Sequence, residues 1–336
     1  MTIFVSDQNQ VVFQYESGTY ASPSGASGQW LGLVQSHDAQ DNENVQEFRF
    51  TGVSNRNVGM FADGPRDYAG TITFYPQDFK MLGFTLGSIL DASGAITRHT
   101  ISELNSDGRY AYTSGAGVLA SFPSFTIKDS KKGLTDGTHQ IRTYNGCVVD
   151  SYKISASEGE PVTVEVNYMA QSLTLGSKTT DIVNIFNRDT TRPYMWNDVT
   201  FELPDGTSMN EVKNIGLTIN NNLKSRHYVN GSRVAQVFIP TNRTYEVGAS
   251  IDATDTWAKV LYEQYWQGGS TFNSALNFII NSASEFHTII MSGCRMTAMT
   301  SPLPNEDVNE FQFTFKPQTI SSAGSDQVTG AFYNPY

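Results

Sequence analysis

Asn145-Gly146-Cys147-Val148-Val149-Asp150-Ser151-Tyr152-Lys153-Ile154-Ser155, the turn Glu158-Gly159-Glu160, and Val162-Thr163-Val164-Glu165-Val166-Asn167-Tyr168-Met169 form the stretch that decides the fold. In its second arm Val162, Val164, Val166 and Tyr168 share one side, and Thr163, Glu165, Asn167 and Met169 the other. Period two with one apolar side is the pattern of a half-buried strand. The pattern recurs 147 positions later. Ser292-Gly293-Cys294 answers Asn145-Gly146-Cys147, and Asn305-Glu306-Asp307 answers the turn. Phe311, Phe313 and Phe315 fall on Val164, Val166 and Tyr168, alternating with Glu310, Gln312, Thr314 and Lys316.

Upstream, Arg66-Asp67-Tyr68 aligns with Arg243-Thr244-Tyr245 at a spacing of 177, so that Ile72 and Phe74 meet Ala249 and Ile251. A looser match sets Trp30 on Trp196 and Val45 on Val212. Any two strand-rich segments can be aligned by chance. Shared element order, the paired Gly-Cys dipeptides and a strand-to-helix step in both copies favour an internal duplication. Cys147 and Cys294 then read as equivalent buried hydrophobes, not disulfide partners.

Further strands are expected at Gln46–Thr51, Gly70–Tyr75, Ser124–Lys128, Val199–Leu203, Ile215–Asn220, Tyr245–Ile251 and Ala275–Asn281, with turn residues such as Pro204-Asp205-Gly206 between many of them. Two helices are expected. Pro76–Leu90 places Phe79, Leu82 and Leu86 on one face, and Asp255–Trp266 does the same with Trp257, Val260, Leu261 and Tyr265, with Asp255 as cap. The fold class is all-β with two short helices: two tandem, duplicated β-sandwich or barrel domains, each with a flanking helix. The expected division is an N-terminal arm 1–29, a first domain 30–175, a linker 176–191, a second domain 192–320 and a flexible tail 321–336.

The 336 residues carry 33 acids against 22 bases, a formal charge of -11, and 39% hydrophobic residues. A chain of that charge is a poor candidate for gripping nucleic acid through its phosphates, and its apolar content rules out wholesale disorder. No 18-residue apolar run suggests a membrane span. The first residues lack the basic start and apolar stretch of a signal peptide. With two cysteines, neither near a partner at metal spacing, a reduced, intracellularly made protein is expected.

No catalytic, cofactor-binding or metal-ligating residues are assigned. His37, His99, His139, His227 and His287 are scattered, and no nucleophile elbow, phosphate loop or dinucleotide fingerprint is present. Glu158, Glu160 and Glu165, and Asp41, Glu43 and Glu47, read as solvated faces before glycosidase pairs. Asp38–Glu43 lacks the EF-hand pattern. Trp30, Trp196, Trp257 and Trp266 read as core or interface packing in preference to a sugar platform.

Two long loops, Ser54–Arg66 and Asn220–Thr241, interrupt strands that should be adjacent, and such loops tend to be functional. Their candidate interface residues are Arg56, Met60, Phe61 and Arg66 in the first, and Lys224, Arg226, Tyr228, Arg233 and Phe238 in the second. Apolar side chains there call for burial, against a partner subunit or by the loop folding back on its own domain.

The chain resembles the tail tube (major tail) proteins of tailed bacterial and archaeal viruses. The resemblance rests on Tyr15-Glu16-Ser17-Gly18-Thr19-Tyr20, Tyr68-Ala69-Gly70-Thr71-Ile72-Thr73-Phe74, Phe122-Pro123-Ser124-Phe125-Thr126-Ile127, the Asn145–Ser155 and Glu158–Val166 strings, Ile215–Leu223 and Tyr245–Ile251. It covers roughly residues 10–320 and lies in pattern and order, not in any single string. Ser301-Pro302-Leu303-Pro304 departs from the first copy.

The resemblance implies a structural virion protein. Its sheets join those of neighbours into a β-barrel around a lumen, its rings stack through loops and arms, and the genome passes through without specific binding. The expected partners are copies of itself, in a homotrimeric pseudo-sixfold ring or alternatively a homohexamer. Tail terminator, baseplate or tip, and tape-measure proteins follow from the family. The expected place is the virion tail, assembled in the host cytoplasm. Residues 1–175 carry 18 acids and 11 bases, and residues 176–336 carry 15 and 11, so both halves would give an acidic wall that repels phosphate. Glu165 and Glu47 are the lumen-facing candidates. Deleting 1–29 or Asn220–Thr241 is expected to abolish polymerisation without unfolding. The rival reading is a two-domain carbohydrate-binding or adhesin module, and a glycosidase comes third.

Overall fold

The computed structural model describes residues 10–16, 20–21, 28–29, 31–49, 59–92, 98–103, 123–132, 139–176, 185–186, 192–203, 207–252, 260–280, 285–301 and 309–325. In chain order the strands are β1 (Gln10–Tyr15), β2 (Gly28–Gln29), β3 (Leu33–Asn42), β4 (Gln46–Phe48), β5 (Met60–Ala62), β6 (Asp67–Tyr75), β7 (Gly87–Ala92), β8 (Arg98–Glu103), β9 (Phe125–Lys132), β10 (His139–Ser157), β11 (Thr163–Ala170) and β12 (Ser172–Gly176). There follow β13 (Ile185–Phe186), β14 (Val199–Leu203), β15 (Thr207–Met209), β16 (Val212–Asn220), β17 (Lys224–Arg226), β18 (Val237–Ile239), β19 (Thr244–Asp252), β20 (Phe272–Ile280), β21 (Glu285–Thr300), β22 (Glu310–Lys316) and β23 (Thr319–Ser325). Helix α1 (Lys80–Leu86) lies between β6 and β7, and the π-type helix α2 (Val260–Gln267) between β19 and β20.

The main sheet is antiparallel throughout, in the order β3-β6-β11-β10-β16-β19-β22-β21. Alternation explains its two faces. Val164, Val166 and Tyr168 of β11 are buried, as are Leu217 and Ile219 of β16, Val247 and Ile251 of β19, and Phe313 and Phe315 of β22. Thr163, Glu165, Asn167 and Met169 lie on the opposite face. Two smaller sheets pack behind it. One runs β2-β1-β9-β10-β12 and the other β7-β8-β23-β21-β20-β14-β15. The long strands β10 and β21 leave one sheet and enter the next at Gly146 (φ 65°) and Gly293 (φ 64°), a left-handed geometry that glycine adopts without strain. One hydrophobic cluster runs through both halves.

The main sheet is two sets of four strands in the same order, β3-β6-β11-β10 and β16-β19-β22-β21. The register repeats as well. Ser151 faces Asn167 as Ala298 faces Thr314, each pair 147 positions from its counterpart, and both ladders bulge just before that pair. Ile72 faces His37 as Ala249 faces Ile215, with the bulges after Val34 and Val212 again matched. Asn44 Nδ2 donates to Pro65 O and Asn222 Nδ2 to Asn242 O, and both asparagines have positive φ. Val34 is therefore the counterpart of Val212. The looser alignment of Val45 with Val212 is corrected by this register; it failed because β3 carries few apolar residues to reveal it.

Other expectations change at element ends. The first helix covers Lys80–Leu86 only, because Gly87 (φ 111°) turns the chain into β7. In the second, Leu261 and Tyr265 are buried, while Trp257 and Asp255 lie outside the described residues, as does Trp30. Part of the segment read as an arm is β1, whose six residues pair with β9 and whose Phe13 sits in the core. Part of the segment read as a tail is β23, paired with both β21 and β8. Most of the segment read as a linker lies outside the described residues. Cys147 and Cys294 are free and buried, each directing its Sγ to the carbonyl three residues earlier.

Candidate assembly surfaces

Three surfaces are placed by this fold: a seam between the halves, two open edges, and the face of the main sheet turned away from the core. The seam is the β10–β16 ladder, in which Ser151 to Ser157 face Asn220 to Asn214. Beyond its end, the fully buried Asn221 donates through Nδ2 to Val149 O (2.9 Å) and Thr85 O (3.1 Å), and accepts from Arg243 Nε (2.7 Å). Arg243 also donates to Thr85 O and Leu86 O, so a cation closes the C-terminal, negative end of α1. Asn221 N–H donates to Asp150 O, and Leu223 N–H to the Asp150 carboxylate.

The open edges are β3 and the second part of β21, each paired on one side only within the main sheet among the described residues. Strand β3 reads Leu-Val-Gln-Ser-His-Asp-Ala-Gln-Asp-Asn and is bulged beside Gln35, both devices that keep an unpaired edge soluble. Its inward His37 is buried between Tyr144 and Tyr168, 2.7 Å from the Tyr168 hydroxyl and 3.6 Å from Asp129. Asp129 is bound by Arg142, and Tyr144 O–H reaches Asp41. Burial alone would raise the Asp129 carboxyl, but the contacts of His37 and Arg142 outweigh it and hold the carboxyl below its usual range.

Strand β5 of the first long loop pairs with β4, which precedes that loop, and the second loop holds the matched hairpin β17–β18. Of their expected interface residues, Met60, Phe61, Lys224, Arg226 and Tyr228 are exposed. Arg66 pairs with Glu43 (2.5 Å), and Arg233 with Asp63 (2.6 Å) and Gly64 O (2.9 Å). Arg66 N–H also donates to Arg233 O, so the hairpins lie side by side. Phe238 is buried with Leu223 and Ala235 against Val148. The second hairpin thus folds back on its own chain, and Phe238 is spent there instead of facing a partner. Arg56 lies outside the described residues.

On the outward face of the main sheet, Glu165 stands between Thr73 and Lys153, and Glu246 faces Thr218. Asp38 and Asp67, and Asp252 and Glu310 around Lys213, lie on the same face, so acids outnumber bases among its hydroxyls and amides. Glu47 lies on β4, exposed and 3.6 Å from Arg49, away from this face. Trp196 and Trp266 are partly exposed, Trp196 beside a cleft of about 250 Å³ lined also by Glu158, Phe201 and Lys213.

Sequence reasoning did not find Glu16, Asn221 or the β3 edge. Glu16 is buried and accepts from Gly146 N–H, Thr126 Oγ1, Ser124 Oγ and Ala21 N–H, which ties the N-terminal segment to the corner of β10. The one available signal was charge in a segment otherwise poor in it. Among the described residues, no helix is long and apolar enough to cross a membrane. No curated protein matches the chain. A family model described as phage tail tube protein matches residues 16–332, nearly the whole chain. With a β-rich fold of the expected kind, two short helices and that match, the chain belongs to the phage tail tube protein family.

Proposed function

We propose that three chains join head to tail into a pseudo-sixfold ring, and that such rings stack into the hollow tail tube. The family assignment makes the protein a structural component of the virion tail that self-assembles and meets other tail components. The ring architecture rests on one observation. Within a chain, the last strand of the first four-strand set pairs with the first strand of the second, β10 with β16. The counterparts of those two strands, β21 and β3, are the open edges. A second copy offers β3 to β21 in the same sense, and repetition of a heterologous contact about an axis closes a ring. A closed barrel removes both edges at once.

The repeat is then a tandem duplication of one tube domain, so that three chains supply six quasi-equivalent units. The outward face of the main sheet then lines the lumen. A surface of hydroxyls, amides and interleaved charges offers phosphates no continuous cationic track, and DNA can slide through. Terminator, tip or baseplate, and tape-measure proteins complete the tail, which assembles in the host cytoplasm.

Electron microscopy of the concentrated protein tests assembly, and mass measurement of a soluble ring tests its order. Hollow tubes and rings of three chains are expected. A ring of six chains overturns the trimer. Solid particles that never assemble overturn the tube.

A further inference from the structure

The hairpins β4–β5 and β17–β18 occupy matched positions and meet opposite fates. Gln46 faces Ala62 in one, and Lys224 faces Ile239 in the other. Their strands are 178 and 177 positions apart, the spacings that relate β3 to β16 and β6 to β19. Val45 is thus the counterpart of Leu223, and Phe61 of Phe238. Leu223 and Phe238 are 7% and 6% exposed, packed on Val148 and Met169 of the first half. Val45 and Phe61 are 51% and 64% exposed. The receiving pair has counterparts too. Val148 faces Met169 in the β10–β11 ladder, and 147 positions on, Arg295 faces Lys316 in β21–β22. Both cations are exposed, Arg295 on the edge strand β21 and Lys316 on β22 beside it.

We propose that the β4–β5 hairpin of one chain closes over Arg295 and Lys316 of a second copy in the same ring, beside a β3–β21 ladder that sets Asn42 opposite Ala298. This contact rests on the ring reading above. The register is carried over from Ser151 facing Asn220; it also sets Asp41 opposite Met299 and Gln40 opposite Thr300. Asn42 and Ala298 then share the outward face, and Asp41 and Met299 the core side. Thr297, the bulge residue matching Asp150, brings a carbonyl and a hydroxyl oxygen to the place where Asp150 accepts from Asn221 and Leu223.

The chemistry of the two surfaces is complementary. The aromatic face of Phe61 fits a guanidinium, and the alkyl stems of Arg295 and Lys316 fit Val45. Glu43, Glu47 and Asp63 around the hairpin, each in an ion pair with Arg66, Arg49 or Arg233 of its own chain, share their charge with the arriving cations. Phe61 and Met60 then act within a ring and not between rings.

The test uses the full chain carrying Asn42→Cys and Ala298→Cys, since both native cysteines are buried. Mild oxidation of assembled protein is expected to give covalent species that end at a closed ring. The offset pair Ser36→Cys and Ala298→Cys is expected to give none. Phe61→Asp is expected to keep the thermal midpoint of the unassembled chain and to raise the concentration needed for assembly roughly tenfold or more. Wild-type tubes in which the Asn42/Ala298 pair does not cross-link overturn this contact and leave the tube reading standing. Phe61→Asp that assembles like wild type, or forms single rings that no longer stack, overturns the hairpin assignment. A wild-type protein that never assembles overturns the ring reading and this contact together.

Discussion

Replacing Glu16 tests whether the N-terminal segment is part of the folded core. The residue is 3% exposed and its carboxylate collects four donors. Oε1 accepts from Gly146 N–H and Thr126 Oγ1, each at 2.7 Å, and Oε2 accepts from Ala21 N–H (2.9 Å) and Ser124 Oγ. In Glu16→Gln one oxygen becomes an NH2 group. The hydroxyl on that side can turn to accept, but the backbone N–H on that side then faces another donor. An orphaned buried N–H costs about 1–3 kcal/mol, and the loss of charge assistance adds to that, while burying an amide is cheaper than burying a carboxylate. The expected net cost for Gln is about 2 kcal/mol. In Glu16→Ala both N–H groups lose their acceptor and a cavity opens, for about 4 kcal/mol.

Urea unfolding of the unassembled protein, followed by far-ultraviolet circular dichroism, reads both values, with the denaturant slope expected to hold. An alanine variant within about 1 kcal/mol of wild type refutes the reasoning, as does glutamine costing more than alanine. The same physics changes what deletion of residues 1–29 should do. With β1 in a sheet and Phe13 in the core, that deletion is expected to unfold the first half instead of merely blocking polymerisation.

Three further outcomes are expected. Gly146 and Gly293 share a left-handed φ, but a Cβ on Gly146 would meet Gln171 Cβ at 3.0 Å and Ala21 Cβ at 3.1 Å, whereas on Gly293 it meets the movable end of Gln318. Gly146→Ala should therefore cost about 2–3 kcal/mol and Gly293→Ala about 1 kcal/mol by thermal or urea unfolding, and equal costs would count against the packing argument. Burial pushes the Cys294 thiol up to about 12 and, with the nearby Glu16 charge, raises Cys147 well above its usual value. Neither should react with a disulfide reagent at mildly alkaline pH until the protein unfolds; a fast-reacting thiol in the native protein would contradict this. The folded carboxyl of Asp129 lies below its unfolded value, so its contribution to stability is complete above the ordinary carboxylate range and is lost as pH falls through that range toward the folded value. Asp129→Asn should flatten the acid limb of the stability curve, and an unchanged limb would show that other carboxylates set it.

How legible the fold was depended on whether burial was one-sided. Strands β6, β11, β19 and β22 alternate cleanly because one face meets the core, and they were found nearly to their ends. Strand β3 was missed because an edge strand facing solvent carries Gln, Asp and Asn where a central strand carries Val. The interface residues were only partly legible. Periodicity cannot show that Phe238 has a partner inside the chain and Phe61 has none among the described residues, because that difference lies in which neighbour the sheet order supplies. Glu16 and Asn221 escaped for a related reason: a buried polar residue is recognised by the donors and acceptors around it, and those come from residues as distant as Ser124, Gly146, Thr85 and Arg243.

The two seams of the proposed ring differ in the direction their circumstances require. The β10–β16 seam forms within one chain, where the linked halves meet at high effective concentration and never face solvent apart. It tolerates an apolar contact, Leu223 and Phe238 on Val148 and Met169, and a neutral buried amide at Asn221. The β3–β21 seam forms between chains that must first persist in solution. At the same positions it carries Glu43 for Asn221, Arg295 for Val148 and Lys316 for Met169. Charge there keeps a free edge from pairing indiscriminately and still attracts the correct partner, at the cost of a weaker contact. Screening follows from this. High salt should slow ring closure by weakening attraction between hairpin acids and edge cations, while leaving the urea midpoint of the unassembled chain nearly unchanged, since the polar contacts at its own seam, such as those of Asn221, are buried and little screened. A seam that gained strength with salt would instead be held mainly by Val45 and Phe61, and the charged substitutions at Arg295 and Lys316 would then lack a role in assembly.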